Sequence, residues 1–499
     1  MLVLLNPHSA KHGWRVPNSL LTLGAYLEGK YDYEIVDENI HKDVIGELEK
    51  VIRRTGARYL GITVMPGPQL HSSIPVSQKI KKLFPDIKII WGGYFPTFHP
   101  NTVLRSDFVD YVIRGNAEVS LIELLDNLEN KIGAKQLSEI KGLSYRSGTE
   151  ILHNEKAAIT IPDEVPYLPY HKLPMETYLR SAKTYVGERT IAYFSSIGCP
   201  FLCGFCAIAG FYKGTWLGRS PELVYEHLRN LKEQYNIGSV EFFDDNFFVS
   251  EKRSYEIAKY IKELKLSWWA EARPDTFLKF SDETFAMLRD SGLKMVFMGA
   301  ESGSAESLKM MNKGGTQTPD TMLQLAARMK KFDIVPEFSF VMGGPSDNVD
   351  RDIDNEITYI RKLKKINPAT EIIFYIYTPV KYEESNLSHM AKDKGFEYPT
   401  TLEEWESPEW KYFDVRRYAQ TPWLKPRHVR KIKDFERTLN SYYPTVTDTK
   451  ITGAKRKLME LLGAWRYKTS FYFAPYELAV LQKLLRYRQP ETEGFVFEN

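Results

Sequence analysis

Short apolar runs alternate with amphipathic stretches over most of this chain, and this alternation limits the folds that it can adopt. The first 130 residues carry apolar runs that are separated by stretches with the apolar spacing of helices. We predict strands at 2–5, 33–36, 59–64, 87–91 and 111–113, and helices near 18–29, 43–55, 70–84 and 117–130. Strands that alternate with helices of this length predict an α/β fold with a doubly wound, Rossmann-like parallel sheet.

The same alternation resumes near residue 191 with longer helices. Strands are predicted at 191–196, 239–244, 267–271, 294–299, 335–342 and 371–378. Two of the intervening helices have clear start signals, because Ser220-Pro221 and Thr318-Pro319 each place a capping hydroxyl before a first-turn proline. Six parallel strands with intervening helices indicate a partial (β/α)6 TIM-like barrel, whose chemistry belongs at the carboxyl ends of the strands.

Proline-rich and strongly charged stretches mark the predicted domain boundaries. A linker is predicted at 139–190, with a small hairpin at 141–154 and a proline-rich stretch at 161–174 that breaks helix and sheet. After the barrel, a loop-rich lid precedes residues 411–489, which carry 18 Lys and Arg against 6 Asp and Glu. Helical periodicity is visible there near 427–439, 452–465 and 475–487. The predicted domains are 1–138, 139–190, 191–380 and a mostly helical 381–499.

All three cysteines of the chain lie within eight residues of a Gly- and Pro-containing loop after the first barrel strand. Cys199, Cys203 and Cys206 have x3 and x2 spacings, so their thiolates can converge on one small inorganic centre. A structural zinc site takes four protein ligands, and an iron–sulfur cluster is normally held by four thiolates. One metal position is therefore left to a His, a carboxylate or an exogenous group. A zinc knuckle and a buried apolar cysteine cluster remain open as alternatives.

The motif Cys-x3-Cys-x-aromatic-Cys resembles the signature of the radical S-adenosylmethionine (radical SAM) superfamily. The resemblance implies that the three cysteines hold three irons of a [4Fe–4S] cluster and that S-adenosylmethionine chelates the fourth. It implies that one electron from the cluster cleaves the sulfonium to methionine and a 5′-deoxyadenosyl radical. It also implies that the aromatic residue of the motif, Phe205, lies near the adenine.

Each predicted barrel strand ends in a charged residue, a glycine turn or a hydroxyl, as expected of a rim that binds a ligand. Asp244 and Asp245 resemble the acidic position that accepts hydrogen bonds from the methionyl ammonium of S-adenosylmethionine. The planar fork of Arg273 suits the methionyl carboxylate. Glu301 resembles the acid that binds the ribose, and the Gly343-Gly344 turn resembles the place where backbone approaches the adenine. Taken alone, any one of these acids is equally a solvated charge or a helix cap.

The N-terminal sheet carries a second resemblance, to the cobalamin-binding domain that precedes many radical SAM cores. The resemblance rests on the runs 91–100 and 109–115. Asn116 stands where that family usually has an acidic residue, and the chain has no Asp-x-His-x-x-Gly motif, so we expect no histidine on the cobalt. A degenerate flavodoxin-like scaffold that binds nothing is the alternative. The candidate cobalamin contacts at the strand ends are Asn6, Pro7, Val64, Gly92, Gly93 and Gly115.

The composition is that of an ordinary globular protein, with 43% hydrophobic and 26% charged residues. A net charge of +3 does not indicate a nucleic-acid partner. We expect a reducing, cytoplasmic compartment, because the chain opens like a buried strand and its clustered cysteines cannot form a disulfide framework. The basic, aromatic C-terminal region suits an acidic or amphiphilic substrate or peripheral membrane contact, and a solvated face with ordinary core aromatics is the alternative.

Together the resemblances imply a radical SAM enzyme, similar to the anaerobic magnesium-protoporphyrin ester cyclase and hopanoid methylase group, that acts on a small molecule. The leading prediction is cobalamin-dependent methyl transfer to an unactivated carbon. Radical cyclisation or rearrangement without methyl transfer is the enzymatic alternative, and a cobalamin- or cluster-based sensor is the non-enzymatic one. A reductase, a flavodoxin or a ferredoxin is expected to supply the electron. The sequence indicates no catalytic residue beyond the cluster ligands.

Overall fold

The structure is a computed structural model that describes residues 1–9, 15–181, 184–313, 316–410, 413, 421–448 and 451–487. The chain forms two compact units. The first contains Met1–Tyr178 and Glu397–Val415, and the second contains Leu179–Phe396 and Arg416–Asn499. The region predicted as a C-terminal domain is thus divided between the two units, and its last residues, 488–499, lie outside the described ranges.

The first unit is built on a sheet that has seven strands within the described ranges. They are β1 (Leu2–Asn6), β2 (Tyr33–Asp37), β3 (Tyr59–Thr63), β4 (Lys88–Gly92), β5 (Tyr111–Ile113), β6 (Leu143–Ser147) and β7 (Glu150–His153). Their order in the sheet is β2-β1-β3-β4-β5-β6-β7. The first five strands are parallel, with Leu4 opposite both Ile35 and Gly61. This confirms the predicted α/β architecture with a parallel N-terminal sheet.

The hairpin predicted as part of the linker belongs to this sheet instead. Strand β6 pairs antiparallel with β5, placing Tyr145 opposite Tyr111, and β7 pairs antiparallel with β6. The N of Arg114 donates to O of Gly142, which continues the contact past the end of β5. The placement of the hairpin in a linker is therefore wrong, because backbone pairing that the side-chain pattern does not encode joins the hairpin to the edge of the sheet.

Helices cover this sheet between its strands. Helix α2 shows how local sequence sets their limits, because the Asp43 carboxylate accepts a hydrogen bond from N of Gly46 at its start and Gly56, with φ of 64°, ends it. The apolar faces of the helices and strands enclose a core that includes Leu20, Leu121 and Ile90. The helices are α1 (Asn18–Leu27), α2 (Val44–Thr55), α3 (Pro68–Leu83), α4 (Tyr94–Phe98), α5 (Pro100–Leu104), α6 (Glu118–Leu128) and α7 (Met175–Ser181), with short 3-10 turns at Leu137–Glu139, Pro162–Glu164 and Tyr170–Lys172.

The second unit contains a parallel sheet of six strands in the part of the chain that the structure describes. The strands follow one another in chain order, which is the topology of an incomplete β/α barrel. A short antiparallel pair of strands follows the first of them. The six strands are β8 (Thr190–Tyr193), β11 (Ser239–Phe242), β12 (Ser267–Ala272), β13 (Leu293–Glu301), β14 (Val335–Met342) and β15 (Glu371–Ile376), and the pair is β9 (Ser196–Gly198) and β10 (Trp216–Gly218).

Helices connect these strands and continue beyond them. The helices are α8 (Ala207–Tyr212), α9 (Pro221–Tyr235), α10 (Glu251–Leu264), α11 (Pro274–Phe277), α12 (Asp282–Asp290), α13 (Ala305–Met310), α14 (Pro319–Lys331), α15 (Val349–Ile366), α16 (Asn386–Asp393), α17 (Leu402–Trp405), α18 (Pro426–Tyr442), α19 (Gly453–Thr469) and α20 (Tyr476–Leu485). Of these, α17 belongs to the first unit. No helix in the described ranges has the length and apolar character that crossing a bilayer requires.

The two predicted helix caps have different outcomes. Thr318 accepts a hydrogen bond from N of Thr321 and caps α14, as predicted. The side chain of Ser220 does not cap α9, so that prediction is wrong, although Pro221 does occupy the first turn. Between the helices and the sheet lies an aromatic core in which rings pack at 4.5–5.7 Å between centroids, namely those of Phe242, Phe247, Phe248, Trp268, Phe277 and Phe285.

Candidate active site

The cysteine loop runs from the end of β9 to the start of α8, so Cys199 follows β9 directly and Cys206 immediately precedes α8. Gly198 sets the direction of the loop with φ of 75°. A Cβ at this position would lie 2.2 Å from O of Thr215, so only glycine fits here. The loop therefore begins directly after β9, which follows the first barrel strand β8, on a backbone turn that Gly198 specifies.

Residues that are distant in the sequence hold the middle of this loop. The N of Gly204 donates to O of Met311 at 2.9 Å, and Nδ2 of Asn312 donates to O of Leu202 at 2.6 Å. The hydroxyl of Ser385 donates to O of Gly204. Backbone groups between the cysteines are thus satisfied by the protein, which leaves the three sulfur atoms for a ligand.

The three thiols share a protected environment. Cys203 is buried, and Cys199 and Cys206 are half-buried. Burial raises the pKa of all three, that of Cys206 to about 12, and the charge of Cys203 raises the pKa of each of the others further. Three thiolates so close together need a strongly cationic partner. The cysteine loop therefore fits an iron–sulfur cluster, whose irons would supply that charge.

No group of three His, Cys, Asp or Glu side chains in the described ranges converges on a position for one metal ion. A cluster does not require such convergence, because each thiolate ligates its own iron. Two polar side chains approach the sulfurs. Nη1 of Arg273 lies 3.4 Å from Sγ of Cys203, and Nδ2 of Asn246 lies 3.9 Å from Sγ of Cys199.

Asp244 follows β11 and is completely buried. Its carboxylate accepts hydrogen bonds from N of Ser195 at 2.6 Å, from N of Ser196 at 2.5 Å and from the Ser195 hydroxyl at 2.7 Å. Both of its oxygens are therefore occupied within the chain, and they join the ends of β8 and β11. These contacts position the start of the cysteine loop, and the contact of Asp244 with the ammonium of S-adenosylmethionine stays a prediction.

Asp245 is the better candidate for that ammonium. It accepts one described hydrogen bond, from N of Gly198 at 3.1 Å, one residue before Cys199. Burial raises the pKa of Asp245 to about 7. A half-buried carboxylate with spare acceptor capacity beside the cysteine loop suits a cationic ligand, whose charge would favour the ionised form.

Arg273 does not present its planar fork to an open site. Its Nε donates to Asp275 at 2.7 Å, its Nη2 donates to O of Lys313 at 2.7 Å, and its Nη1 points to Cys203. The guanidinium also lies 4.1 Å from the ring centroid of Phe201. These contacts direct the cation to the cysteine loop, and the pairing of Arg273 with the methionyl carboxylate stays a prediction.

Glu301 ends β13 and forms a buried ion pair that the sequence did not reveal. Its Oε1 lies 3.1 Å from Nζ of Lys313, and its Oε2 accepts from the Ser339 hydroxyl at 3.3 Å. Lys313 Nζ also donates to O of Gly299 and lies 5.9 Å from the ring centroid of Phe205. Lys313 thus links the predicted ribose acid to the aromatic residue of the cysteine motif.

A second buried acid, Glu356, fixes the turn that follows Glu301. Glu356 on α15 accepts from the Ser302 hydroxyl and from N of Gly303 at 2.7 Å. These bonds fix the turn after Glu301, whose φ of 64° is unusual for a residue other than glycine. Burial raises the pKa of Glu356 from its ordinary 4.5 to about 7.

Replacing Glu356 with glutamine is expected to change the pH dependence of stability. The folded protein holds a proton on Glu356 that the unfolded chain releases above about pH 4.5, so wild-type stability falls as the pH rises from about 4.5 to about 7. Across that window, wild type should lose about 3 kcal/mol relative to Glu356→Gln in urea unfolding experiments. Asp354→Asn is the matched control, because Asp354 lies exposed on the same helix in a surface ion pair with Lys431. Equal pH slopes for wild type and Glu356→Gln would contradict this assignment.

The last two strands complete the rim. The O of Gly343 accepts from Nε1 of Trp423 at 3.1 Å. A Cβ on Gly344 would meet no heavy atom within 4 Å. Tyr377, directly after β15, is buried, and its hydroxyl has no hydrogen-bond partner among the residues that the structure describes. It packs with Met311 and Leu387, and Phe205 lies against the same cluster. The sequence did not single out Tyr377, because the predicted strand extends to residue 378, whereas β15 ends at Ile376.

The carboxyl ends of the strands in the first unit form a separate candidate site. Glycines line this rim. Gly92 and Gly93 are half-buried at the end of β4, where a Cβ on Gly93 would lie 3.0 Å from N of Val64. The rim is open at Gly115, where a Cβ would meet no heavy atom within 4 Å. One carboxylate oxygen of Glu118 is buried there and has no hydrogen-bond partner within the described ranges. Open backbone beside an unsatisfied acceptor fits a large ligand with hydrogen-bond donors, as cobalamin is.

Three of the predicted cobalamin contacts are buried beneath this rim. Val64 is fully buried, and its N and O bond to Gly92 and Phe95, so the contact of Val64 with the ligand stays a prediction. Pro7 is buried as well. Asn6 donates to Asp37 at 3.0 Å and accepts from Gln69 at 3.2 Å, so both ends of its amide are used. These residues support the rim, which leaves the three glycines as the candidate contacts.

Two family models match the chain. That of the radical SAM superfamily matches residues 193–360, and that of the B12 binding domain matches residues 16–125. An uncharacterized methyltransferase of Pyrococcus horikoshii is 29% identical over 351 residues, covering 70% of this chain and 73% of that protein. An anaerobic magnesium-protoporphyrin IX monomethyl ester cyclase of Synechocystis is 22% identical over 364 residues, covering 68% of this chain and 70% of that protein.

Solved structures share the fold. The radical S-adenosylmethionine methyltransferase TsrM from Kitasatospora setae, with cobalamin and a [4Fe–4S] cluster bound, has a TM-score of 0.67 at 16% identity and covers 97% of this chain and 98% of its own. The cobalamin-dependent S-adenosylmethionine radical enzyme OxsB, with aqua-cobalamin and S-adenosylmethionine bound, has a TM-score of 0.70 at 17% identity and covers 97% of this chain and 75% of its own. At these identities the likeness concerns the fold.

The chain therefore contains a radical SAM domain at residues 193–360 and a B12 binding domain at residues 16–125. The relatives that it matches are methyltransferases and cyclases, so the chain is an enzyme. The solved structures that share its fold hold a [4Fe–4S] cluster, S-adenosylmethionine and cobalamin. The family and cofactor predictions are confirmed, and the methyltransferase interpretation is favoured over the alternatives without methyl transfer.

Proposed function

We propose that this protein transfers a methyl group to an unactivated carbon of a small molecule by a radical reaction. The observation that carries the proposal is that one chain combines three neighbouring thiols, one buried and two half-buried, at the carboxyl ends of one parallel sheet with a glycine rim at the carboxyl ends of another. Each site fits one of the two cofactors that such a reaction uses. When bound, the cluster with S-adenosylmethionine supplies a 5′-deoxyadenosyl radical that abstracts a hydrogen atom, and cobalamin supplies the methyl group.

The contacts of the residues in the second unit support the following roles. Cys199, Cys203 and Cys206 hold the cluster and leave one iron for S-adenosylmethionine. Asp245 accepts from the methionyl ammonium, and Glu301, oriented by Lys313, binds the ribose. Phe205 lies near the adenine, as do Gly343 and Gly344. The apolar cluster around Tyr377 keeps water from the radical, because a radical exposed to solvent and other donors is lost to side reactions.

The roles in the first unit are simpler. Gly92, Gly93 and Gly115 allow the corrin to approach the backbone closely. Asn6 and Asp37 fix the strand ends beneath them, helped by the Tyr178 hydroxyl, which donates to Asp37 at 2.6 Å. We place the enzyme in the reducing cytoplasm, where its three free thiols persist, and assign the electron to a flavodoxin, a ferredoxin or a reductase.

Anaerobic reconstitution tests the proposed function. Purified protein supplied with iron, sulfide, cobalamin, S-adenosylmethionine and a chemical reductant should release 5′-deoxyadenosine and should keep the cobalamin absorbance through desalting. Mass spectrometry with methyl-deuterated S-adenosylmethionine and a cell extract should then find a product that carries the label. Release of 5′-deoxyadenosine without retained cobalamin would overturn methyl transfer, and retained cobalamin without 5′-deoxyadenosine would favour the sensor.

A further inference from the structure

The exposed apolar side chains of this protein are concentrated in one short segment. Within the described ranges, nine of the seventeen large apolar side chains that are exposed lie between Leu458 and Leu484, in α19, in α20 and in the loop that joins them. Scattered exposed apolar residues are ordinary, but a contiguous set marks a binding surface. We call this set the C-terminal apolar surface.

Helix α19 is apolar on two opposite sides. Its inner side packs on α18, where a Cβ on Gly463 would lie 2.8 Å from N of Tyr442. Its outer side carries Leu458, Leu461, Leu462 and Trp465, whose spacing of three, four and seven residues places them in one stripe. Leu461 is 72% exposed and Trp465 is 49% exposed. Core packing therefore accounts for the inner side only, and the outer stripe is left for a partner.

The loop and α20 extend the same surface with aromatic rings. Trp465 and Phe471 stack with their ring centroids 5.9 Å apart, although both are exposed. Phe473 and Tyr476 are 67% and 76% exposed, and Leu484 on α20 is 75% exposed. Aromatic rings beside aliphatic side chains are typical of the interfacial zone of a bilayer, where such rings sit at the level of the headgroups.

Positive charge surrounds the apolar side chains. The exposed cations of the segment are Lys455, Lys457, Lys468, Lys483 and Arg486. Its two acids are engaged by arginines, since Glu460 lies 3.1 Å from Arg456 and Glu477 forms an ion pair with Arg466. A second copy of this chain would therefore meet like charges, whereas an anionic lipid surface attracts them.

Residues 488–499 match this surface less well than a bilayer does. Their acids, Glu491, Glu493 and Glu498, suit its cations, but they carry three large apolar residues, Phe495, Val496 and Phe497, against nine exposed ones. We propose that the C-terminal apolar surface binds the surface of an anionic lipid bilayer, with α19 and α20 in the plane of the headgroups. This inference goes beyond the proposed function and does not depend on it.

Vesicle sedimentation tests the inference on the full-length protein. Wild type should bind vesicles of phosphatidylcholine with phosphatidylglycerol roughly tenfold or more tightly than vesicles of phosphatidylcholine alone, and added salt should reduce the difference. The double variant Leu461→Glu with Leu484→Glu should lose this binding, because both side chains are exposed and their replacement leaves the core intact. Ile132→Glu, at a fully exposed apolar position in the first unit, is the matched control and should bind as wild type does.

Three results would overturn the inference. The first is equal binding of wild type and the double variant to anionic vesicles. The second is a concentration-dependent dimer, seen by ultracentrifugation, that the double variant abolishes, because it would make a second copy the partner. The third is anionic-vesicle binding that appears only after removal of residues 488–499, because that segment would then be the resident cover. Thermal unfolding of every variant should match that of wild type, which separates lost binding from lost folding.

Discussion

Replacing Cys203 with alanine is expected to abolish the cleavage of S-adenosylmethionine. Cys203 is the buried member of the trio, and its Sγ lies 3.4 Å from Nη1 of Arg273. Without this thiolate two ligands remain, so a four-iron cluster loses its third protein anchor. Protein purified without oxygen should contain far less iron than wild type, and 5′-deoxyadenosine should fall below detection in an assay with a chemical reductant.

The neighbouring Leu202→Ala is the control for this variant. Leu202 is 41% exposed, and its contribution to the loop, acceptance of a hydrogen bond from Asn312, comes from its backbone oxygen. Leu202→Ala should therefore keep its iron. Both proteins should retain cobalamin, because that site lies in the other unit. Wild-type iron content in Cys203→Ala would show that the thiolate is not a ligand.

Replacing Lys313 with methionine is expected to have the largest effect on stability. Lys313 and Glu301 are 6% and 7% exposed, so the substitution leaves a buried carboxylate without its cation. Breaking a buried pair in this way costs about 3–5 kcal/mol. Urea unfolding at neutral pH should show this loss, and the KM for S-adenosylmethionine should rise because Glu301 is no longer held in place.

A surface lysine supplies the matched control. Lys331 pairs with Asp282 at 2.8 Å, but the two side chains are 65% and 59% exposed. Lys331→Met should cost less than about 1 kcal/mol, because water screens that pair. Adding Glu301→Gln to Lys313→Met should restore part of the lost stability, since it removes the unpaired charge. An unchanged stability in Lys313→Met would mean that the pair is not buried in solution.

The fold was predictable from the sequence because its signals are local. The apolar runs that became β1 to β5 and the six strands of the second sheet are each visible within a few residues, as are α18, α19 and α20. The hairpin of β6 and β7 was recognised, but not its place at the edge of the first sheet. The position of the hairpin in the sheet depends on backbone pairing between Tyr111 and Tyr145. The pattern of apolar and polar side chains does not reveal such pairing.

The site was predictable in location and less so in detail. The cysteine motif identified the loop, and the strand ends identified the rim. The contacts that Asp244 and Arg273 make within the chain could not be predicted, because their partners, Ser195 and Cys203, are 49 and 70 residues away in the sequence. Lys313 was overlooked because a lysine in a loop before two glycines resembles a solvated surface cation, and its burial follows from Glu301 across the fold.

The central claim is that three thiolates hold four irons and leave one of them open to S-adenosylmethionine. Mössbauer spectroscopy of wild-type protein reconstituted with isotopically enriched iron, with and without S-adenosylmethionine, tests it most directly. One iron of the four should change its isomer shift when S-adenosylmethionine is added, while the other three keep theirs. A spectrum that does not respond, or that shows a single mononuclear metal, would contradict the account.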